Sequence, residues 1–308
     1  MISLATLREC NSPVDLLALA NVEPASEPVG VALDAFYARE KPTERQRRIW
    51  GTLTPHSGWF SRAKWPKERE RRLVACVGRR GLKTSGLLAP CAVFESLCVP
   101  HDLHAAEGSR VYAVVIAPVL KQSREAVRAI RGVLDSLTSK IVTYEIRDTH
   151  ASPEIVILTP KTRCERVISV QTADAISVRG TAVAFLGVDE CAFLPSEEWL
   201  AQKDEDILRA VRAGMVQFPN AIEVLVSTPG PPAGVFHSLV SKPPRDTVVI
   251  RAPSWVMNPE RITKADCRRL AGDDATLDQE YGAARFGFHN ESFLDSAAVY
   301  DAIERDVA

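Results

Sequence analysis

Seven short runs of apolar, largely β-branched residues recur along this 308-residue chain: Leu73–Val77, Val111–Ile116, Ile155–Leu158, Val167–Val170, Ala182–Val188, Ile222–Val226 and Val248–Ile250. A strand that is apolar on both faces has no side to offer water, so it belongs inside a sheet covered by helices above and below. Helix-compatible stretches such as Gln122–Leu137 separate most of these runs. Residues 70–252 therefore read as one doubly wound α/β core with a mostly parallel sheet. The chain carries 46% hydrophobic and 25% charged residues at a net charge of −1, a composition ordinary for globular chains. No apolar stretch has the length of a membrane span. The seven cysteines form no CxxC pair, which suits reduced thiols better than a disulfide frame or a zinc site.

The flanks read differently. Residues 1–69 contain helical segments (Val14–Ala20, Val31–Arg39, Glu44–Leu53) and form a helical preface to the core. Residues 253–308 carry helical patterns at Lys264–Ala271, Thr276–Phe286 and Ser296–Arg305, a lid-like or linker region. Two basic clusters stand out against the near-neutral whole. Eleven Lys/Arg fall between Arg39 and Arg72, interleaved with Trp50, Trp59, Phe60 and Trp65. Lys121, Arg124, Arg128 and Arg131 recur at three- and four-residue spacing, on one helical face. Cations with aromatics suit a phosphate backbone; the alternative is a solvated face over half-buried tryptophans.

The first apolar run ends in chemistry. Leu73–Val77 leads into Gly78-Arg-Arg-Gly-Leu-Lys-Thr84, a strand running into an arginine-rich turn and then a helix N-terminus. Backbone N–H groups there, together with the helix dipole, cradle phosphates. The usual pattern places glycine six residues before the lysine and immediately before it; here those places hold Val77 and Leu82. Leucine resists φ > 0, so this loop is expected to be tighter or tilted. Pro90 is expected to kink or shorten the following helix.

A second run, Val183–Val188, ends in Asp189-Glu190. Paired acids at a strand tip suit Mg²⁺ and water at a nucleoside triphosphate: the first carboxylate orients water around the ion and the second polarises the attacking water. A helix whose first turn takes acids is the plainer explanation, but it loses force beside the upstream strand–loop–Lys-Thr unit. In this reading residues Gly78, Arg79, Arg80, Gly81, Lys83, Thr84 and Ser85 bind phosphates, with Lys83 on the β/γ oxygens and Thr84 on Mg²⁺. Glu223–Ser227-Thr228-Pro229 is a strand ending in hydroxyls, placed to sense loss of the γ-phosphate.

The ordered set resembles the ATPase domain of a tailed-phage large terminase. It comprises Thr43-Glu-Arg-Gln46, the arginine-rich loop, Ala117-Pro118 with Gln122, Ser177-Val-Arg179-Gly180, Val188-Asp189-Glu190, Ser227-Thr228-Pro229 and Asn258-Pro259, and spans roughly residues 40–290. The resemblance implies a P-loop NTPase fold and ATP hydrolysis coupled to translocation of double-stranded DNA into a procapsid. Gln46 would read adenine, Asp189 would be the Mg²⁺-associated acid, Glu190 the catalytic carboxylate, and Ser227 and Thr228 the coupling hydroxyls. Arg179 or Arg79 would be the arginine finger. Implied partners are DNA, a portal protein, a small terminase subunit and copies of the chain in a ring of about five, with a monomer expected in isolation, in the cytoplasm of the host cell and away from membranes. Nothing after Phe293 reads as nuclease strands, so no nuclease activity is expected of this chain. Alternatives are a superfamily 2-like helicase or other P-loop enzyme, and a non-catalytic docking module with a degenerate loop.

Overall fold

A computed structural model of the chain describes residues 2–54, 65–138, 141–148, 153–173, 180–194 and 203–287. Arg179 and Ser177, Trp59 and Phe60, Arg62 and Lys64, and the pattern at Ser296–Arg305 lie outside the described residues.

Eight strands form one sheet: β1 (Arg72–Val77), β2 (Arg110–Ala117), β3 (Thr143–Asp148), β4 (Pro153–Thr159), β5 (Glu165–Thr172), β6 (Val183–Val188), β7 (Ile222–Ser227) and β8 (Thr247–Ala252). Their spatial order is β3-β4-β5-β2-β6-β7-β1-β8. From β5 to β8 every pairing is parallel, while β3 and β4 add an antiparallel edge. All seven expected runs are strands, and the fold is the mostly parallel α/β fold of a P-loop NTPase. The run at Ile155–Leu158 proved antiparallel, and β3 was not expected at all: Thr-Tyr-Glu-Ile-Arg-Asp lacks the apolar signature because it lies at the sheet edge.

The helices are α1 (Leu4–Arg8), α2 (Pro13–Leu19), α3 (Glu27–Phe36), α4 (Glu44–Leu53), α5 (Ala89–Leu97), α6 (Leu120–Thr138), α7 (Lys203–Ala213), α8 (Gly234–Ser241), α9 (Ser254–Met257) and α10 (Lys264–Ala271). None is long and apolar enough to cross a membrane. Side chains alternate along β1: Leu73, Ala75 and Val77 join one core with Leu33, Phe36, Trp50, Leu87, Leu97 and Leu134, whereas Val74 and Cys76 join a second with Leu208, Val211 and Phe236. The sheet is thus covered on both faces, and the N-terminal helices share the first core.

Pro90 does not break its helix. Residues Lys83–Leu88 form a π-turn, in which the Ala89 N–H donates to the Thr84 carbonyl, and α5 starts immediately after with Pro90 in its first turn. Proline lacks the N–H that an interior position needs but not one in a first turn, and the wider turn re-registers the helix so that this is where Pro90 falls.

Candidate nucleotide site

Every parallel strand points its C-terminal end at the same edge, and the chemistry gathers there. In sheet order the ends of β6, β7, β1 and β8 carry, in turn, Asp189-Glu190, Ser227-Thr228, the Gly78–Leu82 loop and residues 253–262. Glu190, Thr228, residues 79–85 and Asn258, Arg261 and Ile262 line a cavity of about 1240 Å³ that Lys121, Gln122 and Arg128 of α6 flank from beyond β6.

The loop takes the shape that the sequence argued against. Leu82 sits at φ 61°, ψ 27° and Arg80 at φ 61°, both left-handed. The glycine-like conformation is present without the glycine, at roughly 1–2 kcal/mol per residue. Surrounding contacts hold it. The Gly81 N–H donates to the Gly78 carbonyl at 3.1 Å, and a Cβ on Gly81 would stand 2.4 Å from Val77 Cγ1. From the C-terminal side, Ser254 Oγ donates to the Arg79 carbonyl at 2.6 Å and Asn258 Nδ2 to the Arg80 carbonyl at 3.2 Å. The Arg79 N–H donates to the Glu280 carbonyl at 2.7 Å, and the Arg79 guanidinium pairs with the Glu280 carboxylate. Sequence spacing gave no sign of Ser254 or Glu280, since both reach the loop only through the tertiary fold. The segment carrying Glu280, a π-turn at Leu277–Tyr281, lies so close that a Cβ on Gly78 would be 2.1 Å from the Tyr281 carbonyl oxygen. Gly78→Ala should therefore cost about 2–3 kcal/mol, since one of the two backbones must shift to make room. Urea unfolding measures it, and an unchanged midpoint would contradict the contact.

Lys83 is 6% exposed; its Nζ donates to the Val77 carbonyl at 3.3 Å and lies 3.4 Å from Glu190 Oε1. The other Glu190 oxygen accepts from Ser227 Oγ at 3.2 Å, from the Thr228 N–H at 3.1 Å and from Thr228 Oγ1 at 3.2 Å. Glu190 itself occupies a left-handed backbone conformation, φ 45°. Non-glycine residues in such conformations cluster where geometry is held for function. Thr84 Oγ1 donates to Asp189 at 2.9 Å. Topology explains the meeting: β7 lies between β1 and β6, so its terminal hydroxyls fall between the lysine and the acids.

Burial, then repulsion from Glu190, pushes the Asp189 carboxyl up to about 6 from 3.8. A buried acid so perturbed is a place where a cation would be welcome. With the Thr84 hydroxyl beside it, the pair fits Mg²⁺, an ion that takes one or two protein oxygens and completes its shell with water and phosphate. Because its folded value is raised, Asp189 stabilises the fold only when protonated. That contribution is complete below about pH 4 and is lost as pH rises through about 6. In Mg²⁺-free buffer at pH 7.5, Asp189→Asn should thus be more stable than wild type by on the order of 2–3 kcal/mol, and the gain should vanish near pH 4. Urea unfolding at the two pH values checks it; a destabilised variant at pH 7.5 would refute it.

Gln46 is not brought to the cavity. Its amide completes a capping box with Thr43 at the start of α4 and donates to Asp34 at 3.3 Å. Four of the eleven cations of the N-terminal basic cluster are engaged in structural pairs: Arg39 with Asp15 and Asp34, Arg45 with Glu27, Arg69 with Glu95 and Arg72 with Glu223. The second cluster stays exposed along α6, with Lys121 and Arg128 on the cavity wall.

No protein-family model and no curated protein sequence matches the chain. Solved structures do. The large terminase of a thermophilic bacteriophage matches at TM-score 0.50 and 12% identity, over 79% of this chain and 53% of that one. The large terminase of bacteriophage HK97 matches at TM-score 0.50 and 15% identity, over 71% of this chain and 47% of that one. The large terminase ATPase domain of Thermus phage P74-26 matches at TM-score 0.45 and 21% identity, over 80% of this chain and 99% of that one. This chain spans about half of the first two proteins. The fold is that of large terminase ATPase domains, in agreement with the motif resemblance.

Proposed function

We propose that this chain is the ATP-hydrolysing motor domain of a viral large terminase, moving double-stranded DNA into a procapsid. One observation carries the reading: Lys83, Thr84–Asp189 and Glu190–Ser227–Thr228 converge at three adjacent parallel strand ends beside a phosphate-type loop. Structures of the related thermophilic-phage enzyme with ADP and with ATP-γ-S add support for the ligand.

The residues divide the work. The N–H groups of Arg80 and of residues 82–85 bind the phosphates, those of Gly78, Arg79 and Gly81 being spent on the Ala252, Glu280 and Gly78 carbonyls, with Lys83 on the β/γ oxygens and Arg79 and Arg80 adding charge. Thr84 and Asp189 would hold Mg²⁺, which when bound neutralises charge on the phosphates. Glu190 orients and deprotonates the attacking water. In this structure Lys83 and the two hydroxyl residues divide the Glu190 oxygens between them. Triphosphate oxygens compete for Lys83, which frees Oε1 for water while Oε2 stays fixed to β7. Any later shift of Glu190 is then felt at Ser227 and Thr228, the link we assign to coupling. We place Arg179 at a neighbouring subunit's site, with Arg79 as its rival, and the exposed α6 cations on DNA. We also keep residues 70–252 as the motor core between helical flanks 1–69 and 253–308. A portal, a small terminase subunit and a ring of about five copies complete the assembly in the host cytoplasm.

The docking-module alternative rested on Val77 and Leu82, and it weakens because the loop reaches its left-handed geometry with leucine in place. The direct test is ATP turnover with and without double-stranded DNA. DNA should raise turnover, and its affinity should fall steeply with salt, by roughly 10³-fold or more between 50 and 200 mM if six or more phosphates are contacted. DNA-indifferent turnover with salt-independent binding would refute the motor assignment.

A further inference from the structure

Gln46 is committed to its helix cap and to Asp34, which leaves open what the base of a nucleotide would meet. The strand order answers it. The groups that act on a γ-phosphate, Glu190 and Thr228, follow β6 and β7, on one side of the loop after β1. A triphosphate lying along the loop with its γ end there must carry its ribose and base away from β6, toward the strand on the loop's other side. That strand is β8, and the residues following it on the cavity wall are Asn258, Arg261 and Ile262.

This wall is fixed to the loop. Asn258, 5% exposed, donates to the Arg80 carbonyl, and Ser254 at the start of α9 donates to the Arg79 carbonyl. Both carbonyls are thereby engaged with the wall and not directed at phosphate oxygens. Behind it, Ser26 Oγ donates to the Met257 carbonyl at 2.6 Å. A turn closed by the Ile262 N–H on the Asn258 carbonyl at 3.0 Å then presents Arg261 and Ile262 at the mouth. Ile262 is half-buried and Arg261 exposed. An aliphatic face beside a planar guanidinium suits the two faces of a purine or pyrimidine ring, the one by apolar contact and the other by stacking.

We propose that the Arg261–Ile262 turn is the base-contacting wall of this site and sets its preference for a nucleoside triphosphate over bare polyphosphate. The proposal rests on the nucleotide-site reading above. It assigns the turn no part in phosphate binding, and that separates it from the loop.

The test is calorimetric titration of the full chain with MgATP and, separately, with Mg-tripolyphosphate, which has the phosphates but no nucleoside. Ile262→Ala should weaken MgATP binding roughly 5- to 50-fold, the range of one base contact, and leave tripolyphosphate affinity within twofold of wild type. Arg261→Ala should show the same split at 0.3 M salt, where long-range charge is screened. Equal weakening of both ligands, or no change for MgATP, would overturn the proposal. Wild-type protein that binds neither ligand would instead overturn the nucleotide-site reading beneath it. Thermal unfolding of each variant, expected within 2 °C of wild type because the turn is at the surface, excludes misfolding as the cause of a loss.

Discussion

Lys83→Ala should lose MgATP binding by roughly 10²-fold or more, and turnover with it. The lysine is almost fully buried, and among the described residues its polar contacts are the Val77 carbonyl and Glu190. Buried charge is costly unless it has a strong partner. A cation stored this way is poised for a triphosphate, whose oxygens offer more negative charge than one carboxylate shared with two hydroxyl residues. Truncating one member of a buried charge pair typically costs 2–5 kcal/mol, which sets the expected scale. Arginine should not rescue fully, because a planar guanidinium does not reproduce the compact point charge of the ammonium. Calorimetric titration with MgATP measures the loss, and affinity within threefold of wild type would remove Lys83 from the phosphate site.

Glu190→Gln should separate binding from chemistry. Glutamine keeps a side-chain oxygen for Ser227 and Thr228, so the β7 contact and nucleotide affinity should survive within a few-fold. It cannot accept a proton from water, and general-base loss typically costs 10²–10⁴ in rate. Phosphate release should drop by about 10³-fold while ATP still binds. Turnover within tenfold of wild type would mean that another group activates the water.

How legible all this was in the sequence differs by residue. The loop and the acids could be read because each is one contiguous segment at a strand end, where an apolar run gives way to charged residues. Their meeting could be anticipated only through the fold, since β7 has to lie between β1 and β6 for Ser227 and Thr228 to reach Glu190. The expectation for Leu82 failed because local steric preference was outweighed by tertiary contacts that hold the loop from both sides. Pro90 misled for a related reason: the π-turn moves it into the first turn of α5, which no residue spacing discloses. Gln46 shows how one motif admits two explanations. Thr43-Glu-Arg-Gln46 is also a capping box, and that local chemistry is what its side chain satisfies. The strand β3 was invisible because an edge strand needs no apolar face. Ser254 and Glu280 left no trace in the sequence, as the chain runs through strands β2 to β8 between their partner Arg79 and them.

On the proposed function, the strand-end site takes a nucleoside triphosphate and hydrolyses it with Mg²⁺. The measurement that bears on it most directly is MgATP binding and phosphate release on one preparation of wild-type chain, repeated with Mg²⁺ chelated. One saturable MgATP per chain is expected, with phosphate release that stops on chelation. Absence of saturable binding at millimolar MgATP, or release unchanged by chelation, would contradict it.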